Sequence, residues 1–140
     1  MPTEPLALLL LKASRWFDHQ LLDQLEQQGW PRLSPAQSLV FAHLPPDGVP
    51  PATLARRLGT SRQATQDLVA GLARHGLLEL VADPDRRRGR RVTLTNTGRT
   101  LARDARAILA DLETSIGAER AAALRDLLGD VGGCQQPDQR

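Results

Sequence analysis

Five arginines fall within six residues, at Arg86, Arg87, Arg88, Arg90 and Arg91, with Gly89 between them. A guanidinium fork pairs in parallel with a phosphate or with the edge of a base. So many like charges on a turn-rich stretch (Asp83 to Arg90) repel one another, and a polyanion would relieve that repulsion. The expected use is one arginine in a narrow minor groove and the others on flanking phosphates. A second set, Thr60, Ser61, Arg62, Gln63 and Gln66, stands upstream. Arginine reads guanine and glutamine reads adenine, each giving about 1–3 kcal/mol of discrimination. The amides of a helix start also favour phosphate. Asp67 opposes this chemistry and is expected in a salt bridge with Arg74, Arg56 or Arg57.

Other chemistries find little support. Cys134 is the only cysteine, so an internal disulfide and a cysteine-built zinc site are excluded. It has no basic neighbour to activate it and reads as inert. Three separated histidines make no metal set, and no Gly-rich phosphate loop occurs. Ser34 and Ser61 read as helix-start residues rather than nucleophiles. The sequence therefore predicts no catalytic site, no metal and no cofactor.

These residues must be held by a small frame. The 140 residues carry a net charge of +2 and are 41% apolar, which suits one domain. The charge is unevenly spread. Residues 53–103 carry a net +7, between flanks of −2 and −3. Of the 18 basic residues only Lys12 is lysine, a bias that codon usage would also produce. The longest apolar run, Leu6 to Leu11, is far short of the roughly 20 residues that a bilayer helix needs. No signal peptide is evident, and a cytoplasmic protein without membrane association is expected.

Apolar spacing predicts a helix from Leu6 to about Gln28, ended by Gly29 and Pro31. Ser34, Pro35 and Gln37 predict a capping box for a second helix, stopped at Pro45-Pro46-Asp47-Gly48. Pro50 and Pro51 open a third helix, which Gly59 should end in a left-handed conformation. Thr60 is the expected N-cap of a fourth helix, with Gln63 as its reciprocal partner and Thr65, Leu68, Val69 and Leu72 inward. Leu78–Ala82 and Arg91–Thr95 read as strands with Leu78, Leu80, Val92 and Leu94 inward. Thr95 caps a long helix to Ile116, and a last helix runs from about Ala118 to Val131. The fold class is mainly α with a small β-hairpin wing. Helix, tight turn, helix and basic hairpin is the order of a winged helix-turn-helix, whose second helix fits a major groove about 12 Å wide.

The run Leu54 to Thr65, the Gly76-Leu77-Leu78 step, Asp83-Pro84-Asp85-Arg86-Arg87-Arg88 and Val92-Thr93-Leu94-Thr95-Asn96-Thr97-Gly98 resemble the MarR family of bacterial transcriptional regulators. The resemblance covers nearly the whole chain. It implies one domain over 1–140, with dimerisation helices at 6–28 and 99–131, a winged helix-turn-helix at 34–98 and a disordered tail at 132–140. It implies a homodimer joined through its terminal helices, whose many leucines need a partner to cover them. Two recognition helices about 34 Å apart would then read a pseudo-palindromic double-stranded operator. Members repress a nearby gene and release it when a small phenolic or acidic effector binds, or when a cysteine is oxidised. The effector would lie between the first helix, the second helix and the start of the long helix, where Trp16 and His19, with Phe41 and His43, are candidates.

The sequence departs from the family in three places. Arg86 stands where a wing aspartate is usual, leaving Asp83 or Asp85 to brace the wing root. Thr65 replaces an apolar residue, so its hydroxyl needs a backbone carbonyl. Asp67 replaces a basic or small polar residue. Two alternatives stand beside DNA-binding repression: a dimeric antagonist of a regulator that does not bind DNA, and a small ligand-binding protein.

Overall fold

The structure is a computed structural model and describes residues 3–131. Cys134 and the tail from 132 onward lie outside the described residues. The elements are α1 (Leu6–Gln27), α2 (Pro35–Ala42), α3 (Pro51–Leu58), α4 (Arg62–Arg74), β1 (Leu78–Ala82), β2 (Arg90–Leu94), α5 (Asn96–Ile116) and α6 (Ala118–Gly129). They fall into two compact units, 1–105 and 106–140, with the division inside α5. No helix among the described residues is long and apolar enough to cross a membrane.

In the first unit, each helix starts and stops for a local reason. Ser34 caps α2 by the predicted box: its hydroxyl accepts from the Gln37 amide at 3.1 Å, and the Gln37 side chain accepts from the Ser34 amide at 2.9 Å. Gly59 ends α3 at φ 68°, ψ 29°, a left-handed conformation that costs a residue without Cβ nothing. The same stop moves the start of α4. The Thr60 amide bonds back to the Ala55 carbonyl at 3.1 Å, so Thr60 completes the α3 terminus and is not the N-cap. That role falls to Ser61, extended at φ −67°, ψ 160°, whose hydroxyl accepts from the Ala64 amide at 3.1 Å. The expected Thr60–Gln63 box is therefore replaced by a Ser61 cap.

The core of this unit gathers Val40, Leu54, Leu72, Leu77 and Val92, all almost fully buried. Leu21, Leu22 and Leu25 bury the second half of α1, whereas its first half leaves Leu6, Leu8, Leu9 and Leu11 exposed. The hairpin is antiparallel, with Leu78 opposite Leu94, Leu80 opposite Val92 and Ala82 opposite Arg90. A third, single-residue edge joins it. Val49 and Val92 exchange both backbone hydrogen bonds, at 3.2 and 2.8 Å.

Strand β2 lies one residue earlier than expected, because Thr95 is drawn into a junction. Its amide bonds the Leu77 carbonyl at 3.1 Å, and its hydroxyl donates to the Gly76 carbonyl at 2.6 Å. The same oxygen accepts from the Gly98 amide at 3.0 Å and so caps α5 as predicted. Leu80 also departs from expectation: it is 46% exposed although Leu78, on the same face, is 2% exposed. The hairpin is covered at its root and open towards its tip. In the second unit, Ile108 and Leu112 are buried, and Arg125 donates to both Glu113 carboxylate oxygens at 2.9 Å. No residue of α6 is buried, and Leu124 and Leu127 are exposed.

The tightest approach lies at the hairpin root. A Cβ on Gly98 would stand 2.0 Å from the Leu77 carbonyl oxygen, which is backbone and already bonded to Thr95. Gly98→Ala should therefore destabilise the fold by about 1–3 kcal/mol. Urea unfolding measures this, and an unchanged midpoint would contradict the contact.

Candidate nucleic-acid interface

At the start of α4 the hydrogen-bond donors can be assigned. Thr65 is 1% exposed, and its hydroxyl donates to the Ser61 carbonyl at 2.9 Å, the backbone partner that its position demands. Its oxygen also lies 2.9 Å from the Thr60 hydroxyl. Thr65 has one proton and has already used it, so Thr60 must be the donor in that pair. This chain settles what two of the predicted contact residues can offer. Ser61 accepts from Ala64 and keeps its own proton for an incoming oxygen. Thr60 is exposed, but while the chain is intact its hydroxyl can only accept, and a phosphate oxygen offers it nothing. Arg62, Gln63 and Gln66 are exposed as expected, and Arg62 makes no ion pair among the described residues. Asp67 is held by its own helix, accepting from Gln63 Nε2 at 3.1 Å.

At the other end of the site, the five arginines divide. Arg86, Arg87, Arg88 and Arg90 are exposed and form no ion pair among the described residues. Arg91 turns back, with Nη1 3.7 Å from Asp83 Oδ1 and 3.7 Å from Asp85 Oδ2. Its Nε is buried without a partner. Both candidate aspartates thus brace the wing root. Asp83, 7% exposed, is the anchor: its carboxylate accepts from the Asp85 amide at 3.0 Å, and its amide bonds the Gly89 carbonyl at 2.9 Å. The tip above it holds Arg88 at φ 78°, the only residue other than glycine with positive φ among the described residues. Sequence reading set Arg91 apart only as the start of a strand and did not find its partner. The one available signal was the Asp83-x-Asp85 spacing, in which the first aspartate can bond the amide two residues on.

The two effector candidates part company. A cavity of about 750 Å³ lies against α1 and the start of α2, lined by Arg15, Asp18, His19, Leu22, Arg32 and Leu33 among others. His19 is on its wall, paired with Asp23 at 3.2 Å. Trp16, Phe41 and His43 do not line it, nor does any residue of α5. Trp16 stacks edge-on against Phe17 instead, at 5.1 Å between ring centroids. Arg32 donates to Asp23 at 2.5 Å and to Glu26 at 3.1 Å, and its hydrogen bond holds the Asp23 carboxyl below the usual carboxylate range. Partial burial pushes Asp18 up. A smaller cleft of about 280 Å³ runs between α4 and the hairpin beneath Leu80. No group of acidic, histidine or cysteine residues that could hold a metal occurs among the described residues.

Comparison with known proteins agrees with this geometry. Residues 33–89 match the MarR family model. The transcriptional regulator PA3341 is 28% identical, with a TM-score of 0.67 over 89% of this chain and 93% of its own. RV1404 from Mycobacterium tuberculosis is 24% identical, with a TM-score of 0.71 over 99% and 100%. The Multiple Antibiotic Resistance Repressor, MarR, is 22% identical, with a TM-score of 0.70 over 94% and 97%. No curated protein matches the chain. The fold is that of winged-helix transcription regulators. The match over 33–89, with the fold shared along the chain, makes this protein similar to the MarR family.

The brace can be tested without DNA. Asp83→Ala removes a buried carboxylate that holds the Asp85 amide and faces Arg91. Amide hydrogen exchange at 85–90 should then quicken roughly tenfold or more, since hydrogen bonds to charged groups contribute about 1.5–3 kcal/mol. The amides of Leu54 and Leu72 should change much less. Equal acceleration everywhere would mean that Asp83 supports the whole fold rather than the tip.

Proposed function

We propose that this protein is a sequence-specific, double-stranded DNA-binding regulator that acts as a homodimer, most simply a repressor released by a small effector. One observation carries the reading. The polar first turn of α4 and four outward arginines of the hairpin belong to one compact unit, tied together through Val49, Val92 and Thr95. In this reading Ser61 donates to phosphate, Arg62, Gln63 and Gln66 face base edges, and Arg86, Arg87, Arg88 and Arg90 follow the backbone and minor groove. Thr60 holds the turn. The exposed leucines of α1 and α6 support pairing of two copies. The protein is a binder in the cytoplasm rather than an enzyme, and it needs no cofactor. The cavity beside His19, with Arg15 and Arg32 on its wall, suits a small acidic or aromatic effector. The reading uses His19 as an effector contact and gives Trp16 no such part.

A mobility-shift titration on the upstream region of its own gene, repeated across salt, tests the reading. The logarithm of the affinity should fall steeply and linearly with the logarithm of salt. Arg62→Ala should weaken the preferred site more than random DNA. Arg88→Ala and Arg90→Ala should weaken both alike and each reduce the salt slope by about one. A dimer that binds no duplex even at low salt would favour the antagonist. For the effector, benzoate should release bound DNA from the wild type but not from Arg15→Ala or His19→Ala; release from all three would move the effector elsewhere.

A further inference from the structure

Asp67 is a carboxylate on the face of α4 that the reading above turns towards a polyanion, where it can only weaken attraction. A side-chain hydrogen bond gives it another use. Gln63 Nε2 donates to Asp67 Oδ1 at 3.1 Å, one helical turn away, with both residues exposed. A carboxylate can only accept, so the amide must turn its nitrogen to Asp67 and cannot be reversed while the pair holds. One amide proton is used. With Asp67 taking the proton trans to the carbonyl oxygen, that oxygen and the second proton remain side by side in the amide plane. The backbone beneath is fixed as well, by the Ser61 cap and by the Thr60–Thr65–Ser61 chain.

One acceptor beside one donor is a selective pattern. In the major groove adenine offers the N6 donor next to the N7 acceptor and matches it. Guanine offers two acceptors, cytosine a single donor, and thymine an acceptor beside a methyl group. A glutamine free to rotate would discriminate less. We propose that Asp67 is a positioning residue that locks Gln63 in the orientation that reads adenine, trading some affinity for selectivity at that base pair. The proposal rests on the DNA-binding reading above.

Selection of bound duplexes from a randomised pool, with the wild type and Gln63→Ala, identifies the base pair whose preference depends on Gln63. Dissociation constants are then measured at fixed salt for all four bases there, using the wild type, Asp67→Asn and Asp67→Ala. Both positions are exposed, and matched thermal melts verify folding. The wild type should prefer adenine at least about fivefold. Asp67→Asn keeps an oxygen that accepts from Gln63 but loses the charge, so it should bind every site more tightly and keep the preference. Asp67→Ala should also bind more tightly, with the preference falling below about twofold. The proposal is overturned if Asp67→Ala keeps the preference, if Asp67→Asn loses it equally, or if the dependent base is not adenine. If the wild type binds all duplexes alike or binds none, the DNA-reading function fails too, and that outcome is distinct from the others.

Discussion

A two-stranded hairpin holds neither its shape nor its direction in water by itself. Whatever the arginine-bearing tip can reach therefore depends on how its root is tied to the helices. Three ties do this. Val49 adds a reciprocal backbone pair to Val92, turning two strands locally into three. Thr95 joins the end of α4, the hairpin and the start of α5 through one hydroxyl and one amide. Gly98 lets α5 begin against the Leu77 carbonyl with no side chain between them. Above this root the cover thins, and Leu80 stands exposed. The tip must then carry its own brace, which Asp83 and Arg91 supply.

The same economy governs α4. Its first turn has few polar groups, and most are used twice. Ser61 accepts through its hydroxyl from Ala64 and through its carbonyl from Thr65, leaving one hydroxyl proton to point outward. Thr60 and Thr65 form a relay whose direction follows from counting protons. The result is a face of assigned polarity: a donor at Ser61, donors at Arg62, and an ordered acceptor–donor pair at Gln63. Exposure alone would have ranked Thr60 and Ser61 as equals.

Features written in adjacent residues were legible in the sequence. The Ser34-Pro35-x-Gln37 box, the Gly59 stop and the Thr95 cap all follow from a few neighbouring side chains and the backbone they constrain. The MarR likeness was legible for the same reason, since its motifs are local. Choices among competing partners were not legible. Thr60 and Ser61 are both good caps, and only the Schellman-type bond from the Thr60 amide to Ala55 decides between them. Arg91 looks like its neighbours until Asp83 folds beneath it. Leu80 has the right period for burial, yet no element among the described residues closes over it. Trp16 and His19 are three residues apart on one helix, and only His19 meets the cavity. Each of these was settled by what approaches from elsewhere in the chain.

Arg88 sits where a glycine or an asparagine would be more comfortable. A left-handed backbone costs a residue with a Cβ about 1–2 kcal/mol, and the neighbouring Gly89, which could adopt it freely, does not. Selection for thermal robustness alone would soon exchange Arg88 for a smaller residue and quieten the turn. A chain tuned in that way would melt later while surrendering one of its four outward guanidinium groups, so under the proposed DNA-binding role hardiness and grip are set against each other at a single backbone angle.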